Sequence, residues 1–189
     1  IYSYSMPVQT PICDFNKKAL PFELKSTDNK IISLNDVKGE NGTLIMFICN
    51  HCPYVKAVTK DIVNDCGELK KLGINSVAIC SNDSIKYPED SFENMIKFSI
   101  DNKFNFPYLI DETQEIAKSY DAVCTPDFFG YNKNLELQYR GRMRELKNLS
   151  PVREGESDLF KAMKQISETG QGPKDQIPSA GCGIKWKYD

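Results

Sequence analysis

The sequence holds one histidine and one tryptophan in 189 residues. It has no apolar run long enough to span a membrane, so no transmembrane helix is expected. It has no excess of charge of either sign. A formal net charge of -2 gives no basic surface for nucleic acid or for an anionic membrane, so neither is expected as a partner. Residues 1–10 lack both the basic start and the apolar core of a signal peptide. No internal repeat or low-complexity tract interrupts the chain. No second Cys-x-x-Cys pair is present, which argues against a structural zinc knuckle.

What is there suits one well-buried domain over residues 1–189, too short for two ordinary ones. A hydrophobic share of 40% and a charged share of 26% are those of a globular protein. The seven cysteines are odd in number and mostly scattered, unlike a disulfide-stapled secreted domain. Several read as ordinary buried thiols, and the expected compartment is reducing and cytoplasmic. Cys66 and Cys80 fall on apolar faces and are expected in the core.

The hydropathy pattern alternates between strand and helix. Residues 22–24 and 31–33 read as a hairpin across the turn Asp28-Asn29, with a helical turn at 34–37. The run TLIMFI (43–48) is apolar after its first residue, as in a strand buried on both faces. From 54 to 72 the spacing of Val55, Val58, Ile62, Cys66 and Leu69 is helical, closed by Gly73. A second buried strand, 74–80, precedes a helix over 88–102 with Phe92, Met95, Ile96 and Ile100 on one side. Then come a strand at 106–110, a short helix at 113–120, a hairpin over 127–141 and a last helix over 156–168. The tail, 171–189, is rich in Gly, Pro and Lys and reads as irregular. This order predicts an α/β fold, a central mixed β-sheet flanked by helices.

The motif Cys49-Asn50-His51-Cys52 carries the chemistry. Spacing alone is weak, since such a pair arises by chance in roughly one chain in four at this cysteine content. Its position is informative: a buried strand ends there and a helix begins. Residues three apart in a helical turn lie within disulfide reach. The helix start offers free N–H groups and a positive dipole end, which favour a thiolate. Pro53 suits the first helical turn. His51, the single histidine, could stabilise a neighbouring thiolate when protonated. A second feature is Cys124-Thr125-Pro126, where a proline opens a strand; it is either a plain loop turn or a cis-proline at a functional turn.

Together these features resemble the thioredoxin superfamily. The segments 19–24 (ALPFEL) and 29–34 (NKIISL) are similar to the first hairpin of its AhpC/TSA and TlpA-like redoxin branch, and the inserted helix between Ile85 and Asn102 fits the same branch. The run 47–55 (FICNHCPYV) with the tail 181–187 (GCGIKWK) is similar to a set of redoxins within it. The resemblance implies a thioredoxin-like fold and a thiol–disulfide oxidoreductase. It makes Cys49 the attacking thiol, Cys52 the resolving thiol and Pro126 a cis-proline facing them. It further implies His51 in the catalytic group and Asn50 and Thr125 as substrate-binding positions, with no cofactor and no metal. The implied partners are protein or small-molecule disulfides, with peroxides as a second substrate class, and a thiol reductant system; the expected state is monomer or homodimer.

Three features depart from thioredoxin: Ile48 replaces the preceding Trp, Asn50-His51 replaces Gly-Pro, and no buried acid can be placed as proton acceptor. A peroxiredoxin-like reading would make Cys52 the peroxidatic cysteine. Cys52-Pro53 matches that pattern, while Cys49 stands where the family has Thr or Ser and Ile45 where it has Pro. Its thiolate would need an arginine from Arg140, Arg142 or Arg144, which read instead as an exposed charged strand. A metal-binding reading would add Cys124, Cys182 or His51 to the pair. Cys124 is expected to approach the dithiol if Pro126 is cis, and Cys182, in the tail, could reach over the site.

Overall fold

A computed structural model describes residues 6–188. In chain order the elements are β1 (Val8–Gln9), β2 (Glu23–Ser26), β3 (Ile31–Ser33), α1 (Leu34–Val37), β4 (Gly42–Phe47), α2 (Pro53–Lys56), α3 (Thr59–Lys71) and β5 (Ile74–Cys80). A 3₁₀ turn, Pro88–Asp90, leads to α4 (Phe92–Asp101), β6 (Tyr108–Ile110), α5 (Glu115–Ser119), β7 (Cys124–Thr125), β8 (Asp127–Tyr131) and β9 (Leu137–Tyr139). The chain continues through β10 (Leu146–Lys147), β11 (Ser150–Pro151), α6 (Asp158–Thr169) and β12 (Ala180–Gly183).

The main sheet runs β3-β2-β6-β5-β4-β8-β9. The β4–β5 and β5–β6 pairs are parallel, and the other neighbours are antiparallel, so the sheet is mixed as expected. The continuous apolar run of β4 has a geometric cause. Leu44 and Met46, with Ile48 just beyond the strand, join the core on one face, with Ile62, Leu69, Met163 and Ile166. Ile45 and Phe47 join the core on the other, with Val77, Ile79, Leu109 and Phe129. Successive residues point to opposite faces, and both faces are covered.

Four expectations are corrected. The helix expected over 54–72 breaks at Ala57 and Val58, giving the single turn α2 and the longer α3. The helix expected over 88–102 is divided at Ser91, whose side chain accepts from the Asn94 N–H and caps α4. On α4, Met95 is buried but Ile100 is 69% exposed. The irregular tail contains β12, which pairs with β1 on one side and β7 on the other. Beyond it, Ile184 is buried and Lys185 is tied at both backbone groups. Its N–H donates to Asn82 Oδ1 and its carbonyl accepts from Asp83 N and Gln114 Nε2. The Gly-rich composition reads as coil because β12 is short and receives its partners from distant segments.

Candidate active site

Strand β4 delivers the chain to Cys49, and α2 begins just after Cys52, which occupies its N-cap position. The five-residue loop between them is held from outside. Asp90, from the 3₁₀ turn, is buried; its Oδ1 accepts from the Asn50 N–H at 2.8 Å and its Oδ2 from Asn82 Nδ2 at 2.9 Å. Asn50 Nδ2 donates to the Glu89 carbonyl at 3.0 Å, and Asn50 Oδ1 accepts from the Tyr108 hydroxyl at 2.7 Å. Both ends of the Asn50 amide are thus engaged in positioning the loop. His51 Nδ1 lies 2.7 Å from Asp90 Oδ2, and its ring lies parallel to that of Tyr87. Hydrogen bonding to Asp90 raises the His51 pKa, against the opposing effect of burial.

The Thr125–Pro126 bond is cis. This loop meets both thiols: Cys49 Sγ lies 3.4 Å from Thr125 Oγ1, and Cys52 Sγ 3.3 Å from the Thr125 carbonyl oxygen. Thr125 is itself buried and paired with Cys182 across β7 and β12, so its strand edge is covered by the tail. The Cys124 thiol donates to the Pro126 carbonyl at 3.6 Å. The tail cysteine approaches the dithiol: Cys182 Sγ lies 2.8 Å from Cys52 Sγ.

The environment shifts the two thiols of the pair in opposite directions. Burial, then its interactions with Cys52 and Asp90, push the Cys49 thiol well up. Cys52 is pushed down, first by Cys182 and then by Cys49, whose S–H groups can donate to a Cys52 thiolate. Position explains the difference: Cys52 is the N-cap of α2, where the Val55 N–H adds to the effect of the two thiols, whereas burial dominates at Cys49. Cys80 and Cys66 are buried and pushed up to about 12, inert as core thiols should be.

Two buried carboxylates beside the dithiol loop and the cis-proline were invisible in the sequence. One is Asp90. The other, Asp127, follows the cis-proline directly, and burial raises its pKa. Arg140 Nη2 and Nε reach its two carboxylate oxygens at 2.9 and 3.2 Å. Arg140 therefore does not belong to an exposed charged strand. Arg142 and Arg144 are also paired, with Asp158 and Asp61, each at 2.6 Å. None of the three lies free beside Cys52. For a metal, Cys49, His51 and Asp90 bring ligand atoms within 4.8 Å of one another. The Asp90 oxygens are already accepting from Asn50 and Asn82, so this trio fits a hydrogen-bonded loop clamp better than a metal centre. Beside Pro126 opens a groove of ≈ 440 Å³ lined by Tyr54, Val58, Phe128, Met143 and Leu146.

The AhpC/TSA family model matches residues 15–145, the segment that carries the mixed sheet, the Cys49–Cys52 loop and the cis-proline. The chain belongs to the AhpC/TSA family. Among solved structures, an uncharacterized conserved protein from Geobacillus kaustophilus is 41% identical, with a TM-score of 0.92 and 98% of each chain covered. A hypothetical protein from Sinorhizobium meliloti 1021 is 30% identical, with a TM-score of 0.88 over 98% of this chain and 100% of its own. Both relatives extend over the tail, so β12 lies within the shared fold rather than outside it. The thioredoxin domain of a thiol-disulfide oxidoreductase from Bacteroides vulgatus shares the fold at 17% identity, with a TM-score of 0.57 over 71% of this chain and 89% of its own. A comparison with curated proteins finds no match. The thioredoxin-like redoxin assignment stands, and with it a general thiol redox role. No helix among the described residues is long and apolar enough to cross a membrane.

Proposed function

We propose that this redoxin is a thiol–disulfide oxidoreductase whose working couple is Cys49 and Cys52. The observation that carries the reading is the contact of both sulfurs with one loop, Cys49 with Thr125 Oγ1 and Cys52 with the Thr125 carbonyl, beside cis-Pro126. Of the two thiols, Cys52 is the one whose pKa its neighbours lower, and on losing its proton it gives up the contact with the Thr125 carbonyl. Cys52 attacks a disulfide of a protein or small-molecule substrate, one substrate sulfur leaves as a thiolate, and a mixed disulfide forms. Cys49, which its environment keeps protonated, then gives up its proton and attacks the Cys52 sulfur. The second substrate thiol leaves, and the Cys49–Cys52 disulfide remains. The order of attack is the reverse of that implied by the resemblance to thioredoxin. An external thiol reductant restores the dithiol. The buried free thiols Cys13, Cys66 and Cys80 fit a reducing, cytoplasmic setting.

A second reading, thiol peroxidase with Cys52 as peroxidatic cysteine, is favoured by the lowered Cys52 pKa. It is disfavoured by the engagement of Arg140, Arg142 and Arg144 with carboxylates. Mass spectrometry after oxidation by a model disulfide is expected to find the Cys49–Cys52 bond, with turnover of disulfide substrates exceeding that of hydrogen peroxide. Failure of that bond to form in any oxidant overturns the dithiol reading.

A further inference from the structure

Cys49 and Cys52 are both fully buried, at 0% exposure. A reductant therefore reaches their disulfide less readily than it would reach a disulfide at an exposed sulfur. Within the group of touching sulfurs, Cys182 alone is partly exposed. Its sulfur is 2.8 Å from that of Cys52, and its strand is held by several independent contacts. Residues Cys182 and Gly183 pair with Thr125 and Cys124 of the cis-proline loop, while Ala180 and Gly181 pair with Gln9 and Val8. Ser179 Oγ donates to the Pro126 carbonyl at 2.7 Å. Gly181 faces the Thr125 carbonyl with no space for a side chain. The glycine thus allows the tail to press against the loop closely enough to bring the sulfur of Cys182 to the dithiol.

We propose that Cys182 is a third redox thiol of this site, the outward-facing end of a relay running Cys49, Cys52, Cys182. The proposal rests on the Cys49–Cys52 reading given above. In the oxidised protein the Cys182 thiolate attacks the Cys52 sulfur. A Cys52–Cys182 bond forms, the Cys49–Cys52 bond breaks, and Cys49 leaves with the electron pair and takes up the proton that Cys182 released. No net oxidation occurs in that step; the disulfide has moved one sulfur toward solvent. An external thiolate then attacks the Cys182 sulfur, Cys52 departs as a thiolate, and a mixed disulfide sits at Cys182. A second external thiol attacks the external sulfur of that mixed disulfide, releases Cys182 as a thiol, and carries away both oxidising equivalents as an external disulfide.

Cys52 suits its central place. It touches both other thiols, and a thiol of lowered pKa is the better leaving group when the external thiol arrives. Cys182, raised by its contact with Cys52 and by partial burial, holds its proton more firmly than Cys52, 2.8 Å from the Cys52 sulfur. The same contact that lowers one thiol therefore keeps the other in reserve.

The test is acid-quenched disulfide mapping of the full chain after oxidation by a model disulfide, with reduction by dithiothreitol followed in time. Wild type is expected to yield both Cys49–Cys52 and Cys52–Cys182 peptides, and Cys49→Ser to yield the Cys52–Cys182 peptide alone. Cys182→Ser is expected to form Cys49–Cys52 and to be reduced about tenfold more slowly than wild type, because the buried bond then lacks an exposed exchange partner. Cys182→Ala serves as a second variant, and circular dichroism of both checks that the fold is kept. If Cys182→Ser and Cys182→Ala are reduced at the wild-type rate and no Cys52–Cys182 peptide appears in wild type, the relay is overturned while the dithiol reading stands. If Cys182→Ser forms no Cys49–Cys52 bond, the dithiol reading itself fails and the relay with it.

Discussion

Gly181 packs against Thr125 so closely that a Cβ at position 181 would collide with the Thr125 carbonyl oxygen. That approach couples a tail strand to the cis-proline loop and fixes the sulfur of Cys182 beside that of Cys52. Gly181→Ala must push the strands apart, because both sides of the contact are backbone. The expected cost is about 1–3 kcal/mol of stability, from overpacking at a site that cannot yield by rotating a side chain. Chemical denaturation measures that cost. The same variant is expected to lose most of the Cys52–Cys182 cross-link on mild oxidation, since the two sulfurs no longer meet.

The reduced protein is expected to show one thiol that titrates far below the others. Cys52 is lowered by its neighbours, Cys49 is raised well above the ordinary range, and Cys13 and Cys66 are raised to about 11 and about 12. Ultraviolet thiolate absorbance against pH should therefore show a low-pH step that Cys52→Ser removes. Cys182→Ser and Cys49→Ser are each expected to move that step upward, the former more, because Cys182 is the larger cause of the lowered value. A low-pH step that survives in Cys52→Ser would assign the thiolate to another cysteine.

The His51–Asp90 pair makes stability depend on pH in a stated direction. The folded His51 pKa is raised above its ordinary value, chiefly by its hydrogen bond to Asp90. Its contribution is therefore complete below about pH 6.5, the unperturbed histidine value, and is lost as pH rises through the higher folded pKa. His51→Gln is expected to cost about 1.5 kcal/mol below that pH, the scale of a hydrogen bond to a charged group. The difference from wild type should shrink in mildly alkaline solution. The charge of Asp90 raises Cys49, so a protonated His51 acts on the dithiol chiefly by compensating Asp90. Urea denaturation of both proteins across that pH range checks the prediction.

Asp127 and Arg140 form a buried ion pair immediately after the cis-proline, with Arg140 also over the Phe129 ring at 4.4 Å. Arg140→Met is expected to destabilise by about 3–5 kcal/mol near neutral pH, because it leaves a buried carboxylate without its partner. Burial already raises the Asp127 pKa, and removing Arg140 raises it further. A raised carboxyl pKa penalises folding as pH increases, so the variant should be closest to wild type in acid and farthest from it at neutral pH. Asp127→Asn with Arg140→Met is expected to recover part of the loss, which thermal unfolding across the same range reads directly.

Much of the fold was legible because its signals are local. The strand β4 shows itself as an unbroken apolar run, and the dithiol by its place where a buried strand ends. Other features were misread for equally physical reasons. The apolar spacing continues smoothly across Ala57 and Val58, so the break between α2 and α3 left no mark in the periodicity. Arg140 sits among other charges in the sequence, and only its contact with Asp127, thirteen positions away, shows that it is buried. Asp90 lies in an ordinary Pro-Glu-Asp turn, and nothing local announces that it clamps Asn50 and His51.

By itself the sequence determined the alternation of strands and helices, the mixed sheet, the position of Cys49 and Cys52, and the proline at 126, because periodicity, turn residues and short spacings act between near neighbours. Tertiary structure alone decided the directions in which the two thiols are shifted and which cysteine joins the pair. Those properties depend on burial and on contacts between segments remote in the chain: Cys52 is lowered by a thiol 130 positions away, brought within 2.8 Å by a short strand whose own residues carry little strand signal.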